Sequence, residues 1–263
     1  MVTYYHLNRK INKILIFLLF CVSAMILSFF GCAKQEVKPR MALPGYRSEL
    51  LFQENFDEDL DQWSFEGKGE VAITEDGRLL VAVDTESEGV AVWTSRDFSG
   101  DFHLEYEVEI PETPGINLAI LCARGTHGED ILSELPPRTG KLSEYTRGQI
   151  RNYHISYHCY TPDGQHVPGS RVRKNPGYLL LSSAKHDPCR ENRPYFIDVV
   201  KIDNRIQFFV DGNLIHDVRD KGGFGPTYMN GKIGFWIHGS GTIFTTIFDK
   251  IRVFKLIPKD EDS

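Results

Sequence analysis

The sequence is poor in cysteine, has no long basic run and has little helical periodicity, and each scarcity closes off a class of protein. Five cysteines occur in 263 residues. Cys21 sits inside an apolar N-terminal stretch, and Cys32, Cys122, Cys159 and Cys189 are widely spaced. No CxxC pair and no Cys/His zinc spacing occurs, so neither a disulfide scaffold nor a zinc module is present. Buried free thiols are the plainer reading of the last three, with at most one disulfide as the alternative. Without a Lys/Arg cluster the chain lacks the basic footprint that nucleic-acid binding requires. No internal repeat or low-complexity tract is found, and no segment carries a sustained apolar period of 3.6 residues.

The N-terminus carries a targeting pattern. Arg9, Lys10 and Lys13 precede the apolar run Ile14–Phe30, and no acid occurs before it. A basic stretch followed by an apolar one is an export signal. The run is slightly shorter than the ~20 residues a bilayer span needs. It ends in Phe29-Phe30-Gly31-Cys32, and a small residue followed by cysteine at this point resembles a bacterial lipobox. That resemblance implies lipidation of Cys32; an uncleaved anchor or ordinary cleavage are the alternatives. All three readings place the rest of the chain outside the cytoplasm. Cleavage before Cys32 would take the net charge from −6 to −9.

The expected organisation is an export signal over 1–31, a tether over 32–48, a β domain over 49–257 and an acidic tail over 258–263. Strand signals dominate the domain. Leu104, Tyr106, Val108 and Ile110 alternate with His103, Glu105, Glu107 and Glu109. Ile116–Ala123 is mostly apolar, as a central strand would be, and Ile150–Tyr160 alternates again. Asp203-Asn204 and Asp211-Gly212 mark hairpin turns. Glu129–Leu135 has room for one or two helical turns. The sum is an all-β, two-sheet antiparallel jelly-roll sandwich.

The order of features resembles the concanavalin A-like lectin/glucanase superfamily. Phe52-Gln53-Glu54-Asn55-Phe56-Asp57 opens the domain, Trp63 follows, Phe209-Val210-Asp211-Gly212 precedes Gly231-Lys232-Ile233-Gly234-Phe235, and Phe248–Val253 closes it. A narrower resemblance, to the YesU-like family of unknown function, rests on Glu144-Tyr145, Gly148, Asn152–Tyr157, Arg173–Tyr178 and Asp187-Pro188. His158-Cys159 departs from the aromatic or basic pair expected there. The resemblance implies a sugar-binding outer face on one sheet and, more softly, a glycan context. It also suggests a structural calcium, for which Glu54, Asp57 and Asp249 are the oxygen-ligand candidates.

Strand parity supplies the candidate site. Tyr153, Ile155, Tyr157 and Cys159 suit the core, leaving Asn152, His154, Ser156, His158 and Tyr160 as a polar row. The same parity turns Trp236 and His238 outward, and Glu105 and Glu107 on their strand. If these strands are neighbours, one face carries the flat rings and polar groups that sugars need. A solvated sheet face looks similar, and charged side chains also keep sheets soluble. Arg173 and Lys174 are read as lying in a Pro/Gly turn, able to clamp a carboxylate or to cap the loop. The connections Pro111–Gly115, His127–Gly148 and Thr161–Lys174 are expected around the site, the last two as its rim.

Three functions compete. A glycan-processing enzyme is one. The polar row contains no acid, which disfavours a retaining hydrolase needing two close carboxyls. A polysaccharide lyase would use His154 as base, Tyr160 or Tyr145 as proton donor and Arg173 to neutralise a uronate. Asn152, His158, Lys174, Trp236, His238, Glu105 and Glu107 would bind substrate. A non-catalytic glycan-binding lipoprotein, with a polysaccharide or oligosaccharide as partner, needs only the rings and polar groups. A structural or protein-interaction sandwich is the third reading.

Overall fold

The computed structural model describes residues 37–110, 114–161 and 163–259. The export segment, Cys32, most of the Pro111–Gly115 connection and most of the acidic tail lie outside the described residues. Among the described residues, sixteen strands and one short helix follow in order: β1 Tyr46–Glu54, β2 Trp63–Gly67, β3 Glu70–Ile73, β4 Leu79–Val83, β5 Val90–Thr94, β6 Phe98–Ser99, β7 Phe102–Glu109, β8 Gly115–Gly125, α1 Leu142–Thr146, β9 Ile150–Tyr157 and β10 Ser170–Asn175. The remainder are β11 Leu179–Ala184, β12 Pro194–Ile202, β13 Arg205–Val210, β14 Asn213–Arg219, β15 Asn230–Gly239 and β16 Phe244–Pro258.

They form two eight-stranded antiparallel sheets. The first runs β14-β13-β12-β7-β16-β4-β3, with β1 also on β16; the second runs β11-β10-β9-β8-β15-β5-β2, with β6 on β15. The expected sandwich is therefore observed.

Alternation decides which face of each strand meets the core. Leu104, Tyr106 and Val108 of β7 and Phe248, Ile251 and Val253 of β16 face Tyr153, Ile155 and Tyr157 of β9 and Ile233, Phe235 and Ile237 of β15. The Phe235 ring lies 4.8 Å from Tyr106 and 4.5 Å from Phe248. Truncating a ring packed in this way costs about 3–5 kcal/mol. The phenols of Tyr106 and Tyr157 satisfy one another at 3.0 Å across the core, so neither hydroxyl is stranded.

The second sheet also has an apolar outer face. Ala91, Trp93, Leu118, Ile120 and Trp236 form a second buried cluster with Ile131, Tyr145 and Ile150. A central strand that is apolar on both sides must be covered twice, and the segment 126–149 provides the second cover.

Candidate functional site

Register lays out the outer face of the second sheet in rows. Trp236 lies between Ala91 and Leu118, Leu118 pairs with Ser156, and Ser156 pairs with Arg171. In the next row Ile120 pairs with His154 and His154 with Arg173. The segment 126–149 lies across the apolar half of this face rather than along its rim. Its Glu129–Leu135 part makes turns only, and its helix, α1, comes later.

Buried polar contacts pin this cover. Trp236 Nε1 donates to the Gly140 carbonyl at 2.7 Å. Trp93 Nε1 donates to Glu66 at 3.1 Å, and Arg138 clasps the same carboxylate through Nε at 2.6 Å and through its second nitrogen. Asn152 Nδ2 donates to the Tyr145 carbonyl at 2.7 Å. Gly89 is required here: at φ +127° a Cβ would stand 2.6 Å from the Trp236 ring.

Two hollows remain beside the cover. One, of about 320 Å³, is lined by Glu88, Ile116, Lys141, Leu142, Tyr160, Trp236, His238 and Ser240. The His238 ring lies parallel to Trp236, 5.8 Å between centroids and 3° between planes. The other, of about 350 Å³, is lined by Lys141, Leu142, Ser143, Thr146, Arg147 and Tyr178. Lys141 and Leu142 line both, so the two hollows adjoin at the start of α1 and together make up the groove. A larger hollow of about 670 Å³ opens beside Tyr228 and Arg151. Its charged side chain, Arg151, is turned onto Asn230 at 2.7 Å and over the Tyr228 ring at 4.9 Å.

Of the expected site residues, the structure places Tyr160, Trp236 and His238 in the groove and Arg173 at its β10 end. Trp236 is only 2% exposed, so His238 and Tyr160 present more of the surface. Arg173 lies 3.9 Å over the Tyr178 ring and donates to the Tyr178 carbonyl at 2.7 Å. It belongs to β10, not to a turn: Ser170–Asn175 pairs on both edges, and the turn follows at 176–178.

His154 has the expected parity but not the expected access. It is 1% exposed and lies 5.6 Å from the Tyr178 ring. Asn175 Nδ2 donates to Asn152 Oδ1 at 2.7 Å and to His154 Nδ1 at 2.8 Å. The imidazole is thus a hydrogen-bond acceptor at Nδ1 and carries its proton on Nε2. Burial, with the Arg173 charge added, pushes its pKa down to about 3. Asn152 is fully buried and holds the cover through Tyr145, whose own phenol burial pushes well above its usual range.

Other expectations fail. His158 departs from the row because its φ of +50° reverses the alternation. Its ring packs on Phe244 at 5.5 Å and its Nδ1 meets the Cys189 carbonyl at 3.0 Å, inside the protein. Lys174 points inward, with Nζ 2.7 Å from Asp220 and within 2.9 Å of the Gly225 and Pro226 carbonyls. Glu105 and Glu107 lie on β7, in the other sheet, and cannot share the groove. Glu105 is buried against Arg252 and accepts from the Arg40 amide at 2.9 Å; Glu107 pairs with Lys250 at 2.9 Å. Parity tells which side of a sheet a residue faces, never which sheet it is in.

The calcium candidates are separated too. Glu54 turns to the Phe56 amide at 2.9 Å and to Trp63 Nε1 at 3.3 Å. Asp57 and Asp249 share a hollow of about 330 Å³ with Asp76, and also with Lys250 and Arg252. Among the described residues the grouping of ligand atoms within 4.8 Å of one another is His103, Glu105 and Asp198, and Arg40 and Arg252 enter that cluster.

Sequence reasoning missed Glu88, Lys141, Leu142, Arg147, Arg171 and Tyr178. Arg171 had a signal, since it shares parity with Arg173. Tyr178 and Arg147 sit at the edges of the quoted family motifs. Nothing local marks Glu88 or Lys141, which meet at 3.3 Å on the surface.

With this geometry in hand, comparisons place the chain among known proteins. A protein-family profile described as a domain of unknown function, DUF1961, matches residues 49–238. The uncharacterized protein YesU of Bacillus subtilis (strain 168) is 28% identical over 184 residues, 67% of this chain and 83% of YesU. A Bacillus subtilis crystal structure described as a protein of unknown function with a galectin-like fold superposes with a TM-score of 0.72 at 24% identity, covering 81% of this chain and all of that one. An endo-β-1,3-glucanase from Pyrococcus furiosus gives a TM-score of 0.59 at 15% identity, over 85% of this chain and all of the glucanase. The shared architecture is the two-sheet sandwich, and the chain belongs to the DUF1961, YesU-like family.

Proposed function

We propose that this chain is an exported, membrane-tethered protein that binds a polysaccharide or oligosaccharide in the groove beside α1 without cleaving it. The observation that carries the reading is the floor of that groove. Trp236, His238, Tyr160 and Ile116 make a ring-rich surface, with Glu88, Lys141 and Ser240 around it. Rings offer the apolar flank that stacks on a sugar, and the rim offers partners for hydroxyls.

Cleavage has less support than binding. A lyase working through His154 needs a free lone pair on an accessible base of suitable pKa. Here Nδ1 already accepts from Asn175, and burial has removed most of the basicity. Tyr160 opens into the groove at its far end from Arg173, beyond the end of β9, so base, donor and neutraliser do not converge. Tethering would run through lipid on Cys32.

The test is binding of the full-length chain to a panel of neutral and acidic polysaccharides, with new reducing ends and unsaturated-uronide absorbance read in parallel. We expect retention of at least one polymer, no new ends, and loss of about tenfold in affinity in His238→Ala, the size of a moderate interface contact. New ends or ultraviolet absorbance above a boiled control would replace binding by catalysis.

A further inference from the structure

The β10 end of the groove carries charge that the fold does not neutralise. Arg147 lies 5.8 Å over the Tyr178 ring and Arg173 3.9 Å over the same ring. Arg171 is on the same face of β10, one alternate position away, a rise of about 7 Å. Among the described residues none of these three guanidiniums has a carboxylate partner; Arg47, Arg96, Arg151, Arg190 and Arg219 also lack one, but Arg147 and Arg173 are set apart by sharing a single ring, that of Tyr178. Glu144, three residues before Arg147, spends its carboxylate on Thr139 and the Lys141 amide. His154 beneath Tyr178 is neutral and offers no negative charge.

This local excess of cation runs against the whole chain, whose formal charge is −6. Two guanidiniums gathered on one ring repel each other, and a bound anion between them removes that cost. Arginine presents a planar fork of donors that fits a carboxylate or sulfate with two parallel hydrogen bonds. Arg173 commits one nitrogen to the Tyr178 carbonyl, which fixes the fork and leaves its other donors available. The adjoining hollow, with Ser143 and Thr146 on its wall, shares Lys141 and Leu142 with the ring-lined hollow.

We propose that the glycan held in this groove is acidic, and that Arg147, Arg171 and Arg173 bind the carboxylate or sulfate of the sugar units seated beside Tyr178. The inference rests on the glycan-binding reading above and names its ligand class.

Two matched pairs of polymers test it: polygalacturonate against its methyl ester, and dextran sulfate against dextran. Full-length chain in detergent is titrated with each at ~150 mM salt, where diffuse surface attraction is largely screened. The acidic member of at least one pair should bind about tenfold or more tighter than its neutral partner, the galacturonate pair reporting carboxylate and the dextran pair sulfate. Arg173→Gln and Arg147→Gln should each erase most of that preference. Arg147 is exposed and, among the described residues, its guanidinium makes only the ring contact, so its variant keeps the test valid if Arg173→Gln melts early. Arg47→Gln, on β1 of the other sheet, removes the same charge and should change nothing. Equal binding of neutral and acidic partners overturns the inference and leaves glycan binding standing. A loss in Arg47→Gln as large as in Arg173→Gln overturns it as well, since the attraction is then diffuse. Binding of none of the four, nor of any neutral polysaccharide in the wider panel, overturns both readings.

Discussion

His154 was the residue the sequence pointed to most directly, and its chemistry is now that of a buried acceptor. Its pKa is pushed down from 6.5 to about 3, so the unfolded chain binds a proton there before the folded one does. Stability from this group is fully present above pH 6.5 and is lost progressively as pH falls towards 3. The loss should reach roughly 2 kcal/mol by pH 5. His216, pushed to about 4 by burial, adds a loss of the same sign. Chemical denaturation at pH 7 and pH 5 checks this: His154→Gln should shrink the difference between the two pH values, and an unchanged difference would place the titration elsewhere. Glu105 gives a second expectation. It sits between Arg40 and Arg252 with no exposure, and Glu105→Gln would leave two guanidiniums facing a neutral amide. Breaking a buried pair costs about 3–5 kcal/mol, so the variant should unfold at markedly lower denaturant. Its glycan affinity, measured where it remains folded, should equal that of the wild type, because β7 is in the other sheet.

At the scale of elements, alternation carried most of the fold. β7, β9 and β15 bury the residues that parity assigned to the core, and β8 is central as its apolar run implied. Parity failed where the backbone broke it, as at His158, and where flanking Pro and Gly disguised a strand as a turn, as at Arg173 and Lys174. It is also silent on which strands are neighbours, so it cannot separate Glu105 and Glu107 from His154. The cover was legible in hindsight: Trp93, Leu118 and Ile120 are apolar residues on the supposedly solvated face, and only an overlying segment explains them. Gly89→Ala is the element-scale test. The added methyl group meets Trp236 at 2.6 Å on a backbone that disfavours any Cβ, and Trp236 in turn holds Gly140. A cost of about 1–3 kcal/mol is expected, with a shift in tryptophan fluorescence and weaker glycan binding. Normal binding and an unshifted spectrum would mean that the cover does not depend on this contact.

For the whole molecule, the anchor and the groove are separate expectations with separate readouts. Cys32→Ser should release the protein from membranes or leave it unprocessed, because no thioether can form; wild-type fractionation of that variant would end the lipoprotein reading. Glycan binding by the released protein should be unchanged. Arg40 is fixed on the face opposite the groove. Its side chain donates to the Tyr106 and Ile197 carbonyls at 3.1 and 2.9 Å and lies 4.8 Å over Phe196, on the outer face of the first sheet. The groove is on the outer face of the second. Because Arg40 and Arg173 sit on opposite outer faces of the sandwich, substitutions at the two should act independently, the first on stability and the second on glycan binding.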